Sequence, residues 1–300
     1  MARSSLAACS RCNRLRVGAT GLFCLLLSLV AASVVAADQP ESVLRVCADP
    51  DNLPLSNQRG EGYENKIAEA LAGDLGRRVE YTFFPQRMGF VRNTLRRRDE
   101  GSEQFKCDVI IGVPKGYELT ATTRPYMRST YALLFADPGK YGEVKSADDL
   151  LKLPREKLSA LRFGVFGRSP GSDWLLRNDL LEQAVMYAPQ SGDVHENPAS
   201  IVEQDLSSGK IDVAIVWGPM AGYLVKRHTA SPQKSDAWHA VPFLPDPQIR
   251  FDYEIAMGVR FGEKQWQGVL DNWIDAHQAR IDEILSSYRV PLLDASGKVK

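Results

Sequence analysis

Residues 44–76 read "LRVCADPDNLPLSNQRGEGYENKIAEALAGDLG". Leu44 to Ala48 is apolar and β-prone, and it runs into a turn rich in Asp, Asn and Pro. From Tyr63 the pattern changes. Ile67, Leu71 and Leu75 fall four apart, a spacing that lines one face of a helix. Next come a strand, "RVEYTFF" (78–84), a second helix from Met88 to Leu95, and "CDVIIGV" (107–113), a buried strand bounded by Gly112 and Pro114. Strand and helix alternate, which predicts a parallel sheet with helices on both faces.

The pattern then restarts. "LRFGVF" (161–166), a helix from Pro170 to Leu181, "QAVMYA" (183–188), a helix from Ala199 to Leu206 and "KIDVAIVW" (210–217) form a second βαβαβ set. Two extended segments connect the sets, "RSTYALLFADP" (128–138) and the proline-rich "HAVPFLPDPQIRFDYEIAMGV" (239–259). Glu263 to Tyr288 reads as a closing helix, with Trp266, Leu270, Trp273 and Ile274 on one face. The expected architecture is an α/β clamshell. Lobe 1 is 38–132 with 250–300, and lobe 2 is 133–249.

Ligands of open α/β sheets bind beyond the carboxyl ends of the strands, and two such edges facing across a hinge make a closable cleft. The edge loops therefore supply the candidates. In lobe 1 these are Asp49, Asn52, Tyr63, Arg87, Gly112, Val113 and Tyr126. In lobe 2 they are Ser169, Gly171, Ser172 and Trp217. The segment "WGPMAGY" (217–223) is expected as one of these loops.

The first 37 residues are set apart. Arg3, Arg11, Arg14 and Arg16 precede an apolar run from Leu22 to Val35, and small residues follow before Asp38. That order is a secretory signal peptide, cleaved after residue 37, and the run is short for a membrane span. Cleavage removes four arginines and no acid from a chain with 37 basic and 37 acidic residues. The mildly acidic remainder is unsuited to nucleic acid or an anionic membrane. Cys47 and Cys107 remain, an even pair in an oxidising compartment and a candidate disulfide. Parallel neighbouring strands would hold them at different heights, whereas the bond needs Cα atoms within about 7 Å.

Residues 163–176, "FGVFGRSPGSDWLL", contain the G-x-S-x-G pattern of serine hydrolases. The oxyanion donor there is the N–H after the nucleophile, and here that residue is Pro170, which has none. Pro suits the first position of a helix and Ser169 suits its N-cap, so a catalytic role is rejected. Free N–H groups of Gly171 and Ser172 at that helix start would suit an anionic group. "DPDN" (49–52) lacks the ligand pattern of a calcium loop. Arg87, Arg92, Arg96, Arg97 and Arg98 read as a solvated charged face, with partner docking as the lesser reading. No metal cluster, phosphate-cradling loop or dinucleotide fingerprint occurs, so no cofactor is expected.

The order of elements resembles the periplasmic solute-binding proteins of ABC transporters, in their two-crossover, amino-acid-binding-like class. The resemblance covers nearly the whole chain after residue 37. It implies an arginine after the third strand and an aspartate ending the late strand, to grip a ligand's carboxylate and ammonium. Here the first turn reads "VPKGYEL" (113–119), and Trp217 stands at the second place. A narrower likeness is carried by "RVCADPDNLPLSN" (45–57), "GEGYENKIA" (60–68), "FPQRMGFVRNTL" (84–95), "CDVIIGVP" (107–114) and "TRPYMRSTYAL" (123–133). These strings resemble the quinoprotein-dehydrogenase-associated branch, the XoxJ/MoxJ type. That resemblance implies a non-enzymatic periplasmic accessory protein. It would bind or help mature a PQQ-dependent methanol or alcohol dehydrogenase, with its c-type cytochrome as a further candidate partner. The alternative is a solute receptor delivering a small non-amino-acid ligand to an ABC permease.

Overall fold

The computed structural model describes residues 42–136, 138–189, 197–229 and 238–300. The expected signal peptide, 1–37, lies outside the described residues. The first half of the chain contains β1 (Val43–Ala48), β2 (Asp51–Asn52), β3 (Ser56–Asn57), α1 (Tyr63–Asp74), β4 (Arg78–Phe83), α2 (Phe90–Asn93), β5 (Val109–Pro114) and β6 (Ala121–Phe135). Three short helices follow, α3 (Pro138–Tyr141), α4 (Ala147–Leu151) and α5 (Arg155–Ser159). The second set is β7 (Phe163–Phe166), α6 (Pro170–Arg177), β8 (Ala184–Tyr187), α7 (Pro198–Ser207), β9 (Val213–Trp217) and α8 (Gly218–Thr229). The chain returns through β10 (His239–Pro242) and β11 (Asp252–Val259) into α9 (Lys264–Ser287).

The fold is a two-lobed α/β clamshell of the type II class. In lobe 1, β1 runs parallel to both β4 and β5. In lobe 2, β7 runs parallel to β8 and β9. The antiparallel strand β6 joins them. It pairs with β11 up to Thr130, then with β9 and β10 from Tyr131 onward. Hydrogen bonding therefore runs as β4-β1-β5-β11-β6-β9-β7-β8 without a break.

The unbroken apolar strands are covered on both faces. In β9, Val213 and Ile215 join a core with Phe163, Val165 and Trp174. The intervening Ala214 and Val216 join Val202, Leu206 and Leu224 on the opposite side. In β5, Val109 and Ile111 pack with Ile67 and Leu71 of α1 and Trp273 of α9, while Ile110 faces Cys47 and Phe90. Among the described residues no helix is long and apolar enough to cross a membrane.

Several local expectations are corrected. The helix expected over 88–95 is a single turn, Phe90–Asn93. Gly89, at φ 91°, sets its start. At its end the Thr94 hydroxyl donates to the Phe90 carbonyl, and the backbone leaves the helix. α6 stops at Arg177 because Asp179 turns to φ 57°. In the expected loop 217–223, Trp217 ends β9 and residues 218–223 form the first part of α8, with Pro219 in its first turn. The crossing segment is longer than expected, fifteen residues from Ala121.

Cys47 and Cys107 form a disulfide with Cα atoms 5.4 Å apart. The register pairs Cys47 with Ile110, three residues beyond Cys107. A regular strand would put Cys107 about 10 Å from that point. It reaches Cys47 because β5 begins only at Val109, so the chain before it follows another path.

Candidate functional site

A cavity of about 310 Å³ lies where the inner ends of β5, β6, β9 and β11 meet the start of α1. Its aromatic wall is Trp217, Tyr131 and Tyr253. Strand pairing brings these together. Trp217 ends β9 directly opposite Tyr131, and β11 places Tyr253 opposite Ser129 on the same strand, β6. The Tyr131 and Tyr253 ring centres lie 5.5 and 5.9 Å from Trp217, inclined at 62° and 74° to it. Met127, Leu55 and Ile255 add apolar surface.

The other wall is the first turn of α1, which supplies Tyr63 and Glu64. The helix start is held from behind. The N–H groups of Tyr63 and Glu64 donate to the Pro54 and Leu55 carbonyls at 2.8 and 2.9 Å. Asn65 accepts from the N–H groups of Gly62 and Asn57 at 3.1 and 3.0 Å. The N–H groups of Gly62, Tyr63 and Glu64 at this helix start are thus taken by the chain itself.

Glu64 is only 6% exposed and lines the cavity, and among the described residues its carboxyl has no hydrogen-bond partner. It rests over Gly112, where any Cβ would collide with the carboxyl, so β5 needs glycine at this point. Burial, and to a smaller degree the nearby Asp49, push the Glu64 carboxyl up to about 8. Tyr126 lies on the same side of Gly112, and its buried hydroxyl also has no partner. Burial raises both Tyr126 and Tyr63 well above the usual phenol range.

Of the residues expected from sequence, Tyr63, Gly112, Val113 and Trp217 line this cavity, with Tyr126 behind it. Asp49 stands behind the wall. Its carboxylate accepts from the N–H groups of Asp51 and Gln86, and its backbone exchanges hydrogen bonds with the Ser56 hydroxyl. Burial raises Asp49, and those N–H bonds oppose the rise. Asn52 pairs with Ser56 in the β2–β3 hairpin. Arg87 lines an adjoining cavity of about 670 Å³ with Met88, Arg92 and Arg96, and Gly112 and Val113 border both cavities.

Ser169, Gly171 and Ser172 lie elsewhere, at the start of α6, and line neither cavity. The Ser172 N–H donates to Ser169, and the Ser172 hydroxyl donates to the Ser169 carbonyl at 2.7 Å. Gly171 packs against Ile215 and Val165. The Ser172 N–H expected to be available for a ligand is used by the cap itself.

Sequence reasoning missed Glu64, Tyr131 and Tyr253. A signal for Glu64 was present: it sits three before Ile67 and seven before Leu71, on the buried stripe of α1. Nothing local distinguishes Tyr131 and Tyr253, because strands far apart in sequence bring them together.

No family model matches the chain. It is 27% identical over 276 residues to Protein MoxJ of Paracoccus denitrificans, covering 90% of this chain and 95% of that protein. The crystal structure of MxaJ from Methlophaga aminisulfidivorans MPT is similar, with a TM-score of 0.66, 25% identity, and coverage of 83% of this chain and 100% of that one. The crystal structure of the periplasmic binding protein XoxJ from Methylobacterium extorquens AM1 matches with a TM-score of 0.64 over 84% of this chain. At 36% identity across 99% of that XoxJ chain, this chain belongs to the XoxJ/MoxJ-type family of periplasmic binding proteins.

Proposed function

We propose that this protein is a periplasmic accessory protein that binds, or assists the maturation of, a PQQ-dependent methanol or alcohol dehydrogenase. The scaffold is that of a solute-binding protein. The observation that carries the reading is the loss of both charged grips of an amino-acid receptor. Where such a receptor holds a carboxylate with arginine, Lys115 is paired with Glu254 at 3.0 Å. Where it holds an ammonium with aspartate, Trp217 packs against Tyr131 and Tyr253. A scaffold without those grips is not a general amino-acid carrier. Its family membership supports a role beside the dehydrogenase, with the c-type cytochrome of that system as a second candidate contact.

The test is co-purification. Tagged mature protein, expressed in the periplasm with the dehydrogenase, should retain the enzyme or raise its specific activity. Absence of both effects would overturn the proposal.

A further inference from the structure

The cavity at Trp217 has a composition that selects a ligand class. Its aromatic wall contains three rings, with Tyr131 and Tyr253 set at steep angles to Trp217. Among the described lining residues there is one ionisable acid, Glu64, and no lysine, arginine or histidine. The acid is more than nine-tenths buried and makes no hydrogen bond to a described residue, whereas buried carboxyls are ordinarily hydrogen-bonded. Gly112 keeps the space that the carboxyl occupies. Aromatic rings attract a cation to their faces, best for tryptophan, and the attraction grows where water is excluded. A charged anion would meet the Glu64 carboxyl and no lysine, arginine or histidine among the described lining residues. At about 30 Å³ per water, a volume near 310 Å³ admits a small organic molecule with a few waters.

We propose that this cavity binds a small organic cation of the methylated-ammonium class, its charge held between the Trp217 and Tyr131 rings and the Glu64 carboxylate, with Tyr253, whose ring already carries the Arg250 guanidinium at 4.7 Å, completing the wall. Nothing in this inference depends on docking to a dehydrogenase. The groups around Glu64 set the proton traffic. They are Asp49 at the end of β1, Tyr81 on β4, Tyr63 on its own helix and Tyr126 on β6. Arg87 acts on Asp49. None of those facing Glu64 is a cation, so the empty site holds the carboxyl protonated near neutrality. An arriving cation displaces that proton to solvent, and the ligand's charge replaces it.

Choline and its uncharged isostere 3,3-dimethylbutan-1-ol, titrated calorimetrically into the mature protein, provide the test. Choline should bind at least about tenfold more tightly than the isostere. Its affinity should rise about tenfold from pH 6.5 to 7.5 and level off above pH 8. The heat below pH 8 should vary with buffer ionisation enthalpy, reporting proton release. Glu64→Gln should flatten the pH profile and abolish the proton release. Trp217→Leu should weaken choline at least about tenfold while leaving the proton release of the residual binding in place. Equal binding of choline and the isostere, no binding of either, or an unchanged pH profile in Glu64→Gln would each overturn the proposal. The wild-type pH and isostere comparisons decide the matter even if a variant fails to fold.

Discussion

The starts of α1 and α6 occupy corresponding places in the two lobes, each following a strand at the inner edge of its sheet, and they treat polar groups in opposite ways. At α6, Ser169 and Ser172 exchange hydrogen bonds until the turn is closed on itself. At α1 the backbone is closed by Pro54, Leu55 and Asn65, yet the buried Glu64 carboxyl beside it has no hydrogen-bond partner among the described residues. A satisfied polar cluster stabilises a turn. An unsatisfied one costs stability, and the surrounding fold sustains it where a ligand completes it.

The contrast can be broken most forcefully beneath α1. The disulfide closes a separation of 60 residues around the α1 turn, and lobe 2 has no counterpart among the described residues. Cys107→Ser should cost about 4 kcal/mol, measured by urea unfolding under oxidising conditions. A loss under 1 kcal/mol would mean that lobe 1 is held by packing alone.

Next in size is Glu64→Gln. The native carboxyl titrates at about 8, against an ordinary 4.5. Below pH 4.5 both states keep the proton, and wild type has its full stability. As pH rises towards 8 the unfolded chain ionises and the folded one does not, so wild type loses stability. The glutamine variant escapes that loss and should be about 3 kcal/mol more stable than wild type at pH 7. The difference should vanish at pH 4. Equal thermal stability at both pH values would show that Glu64 is not held neutral.

Gly112→Ala should cost about 2 kcal/mol, because the new methyl enters the space of the carboxyl. Adding Glu64→Ala should recover most of this, and the double-mutant cycle measures the coupling. Simple additivity would place the clash elsewhere. The smallest effect belongs to α6. Ser169→Ala removes a cap and should cost about 1 kcal/mol, with no change in pH dependence or in choline binding.

The strands around Val46, Ile110, Val165 and Ile215, and the helices expected from Tyr63, Pro170 and Ala199, were legible in the sequence because each rests on local periodicity and local caps. The cap at Ser169 was legible for the same reason: its partners are three residues away. Boundaries set by a single φ, as at Gly89 and Asp179, were not.

Composition and periodicity by themselves determined two α/β lobes, two crossing segments and the absence of a nucleophile's donor at Pro170. Only the tertiary structure decided that Cys107 reaches Cys47, that Gly112 lies under Glu64, and that Trp217 meets Tyr131 and Tyr253. Those contacts depend on strand register and on where β5 begins. Register is the outcome of packing both cores at once, and no single segment encodes it.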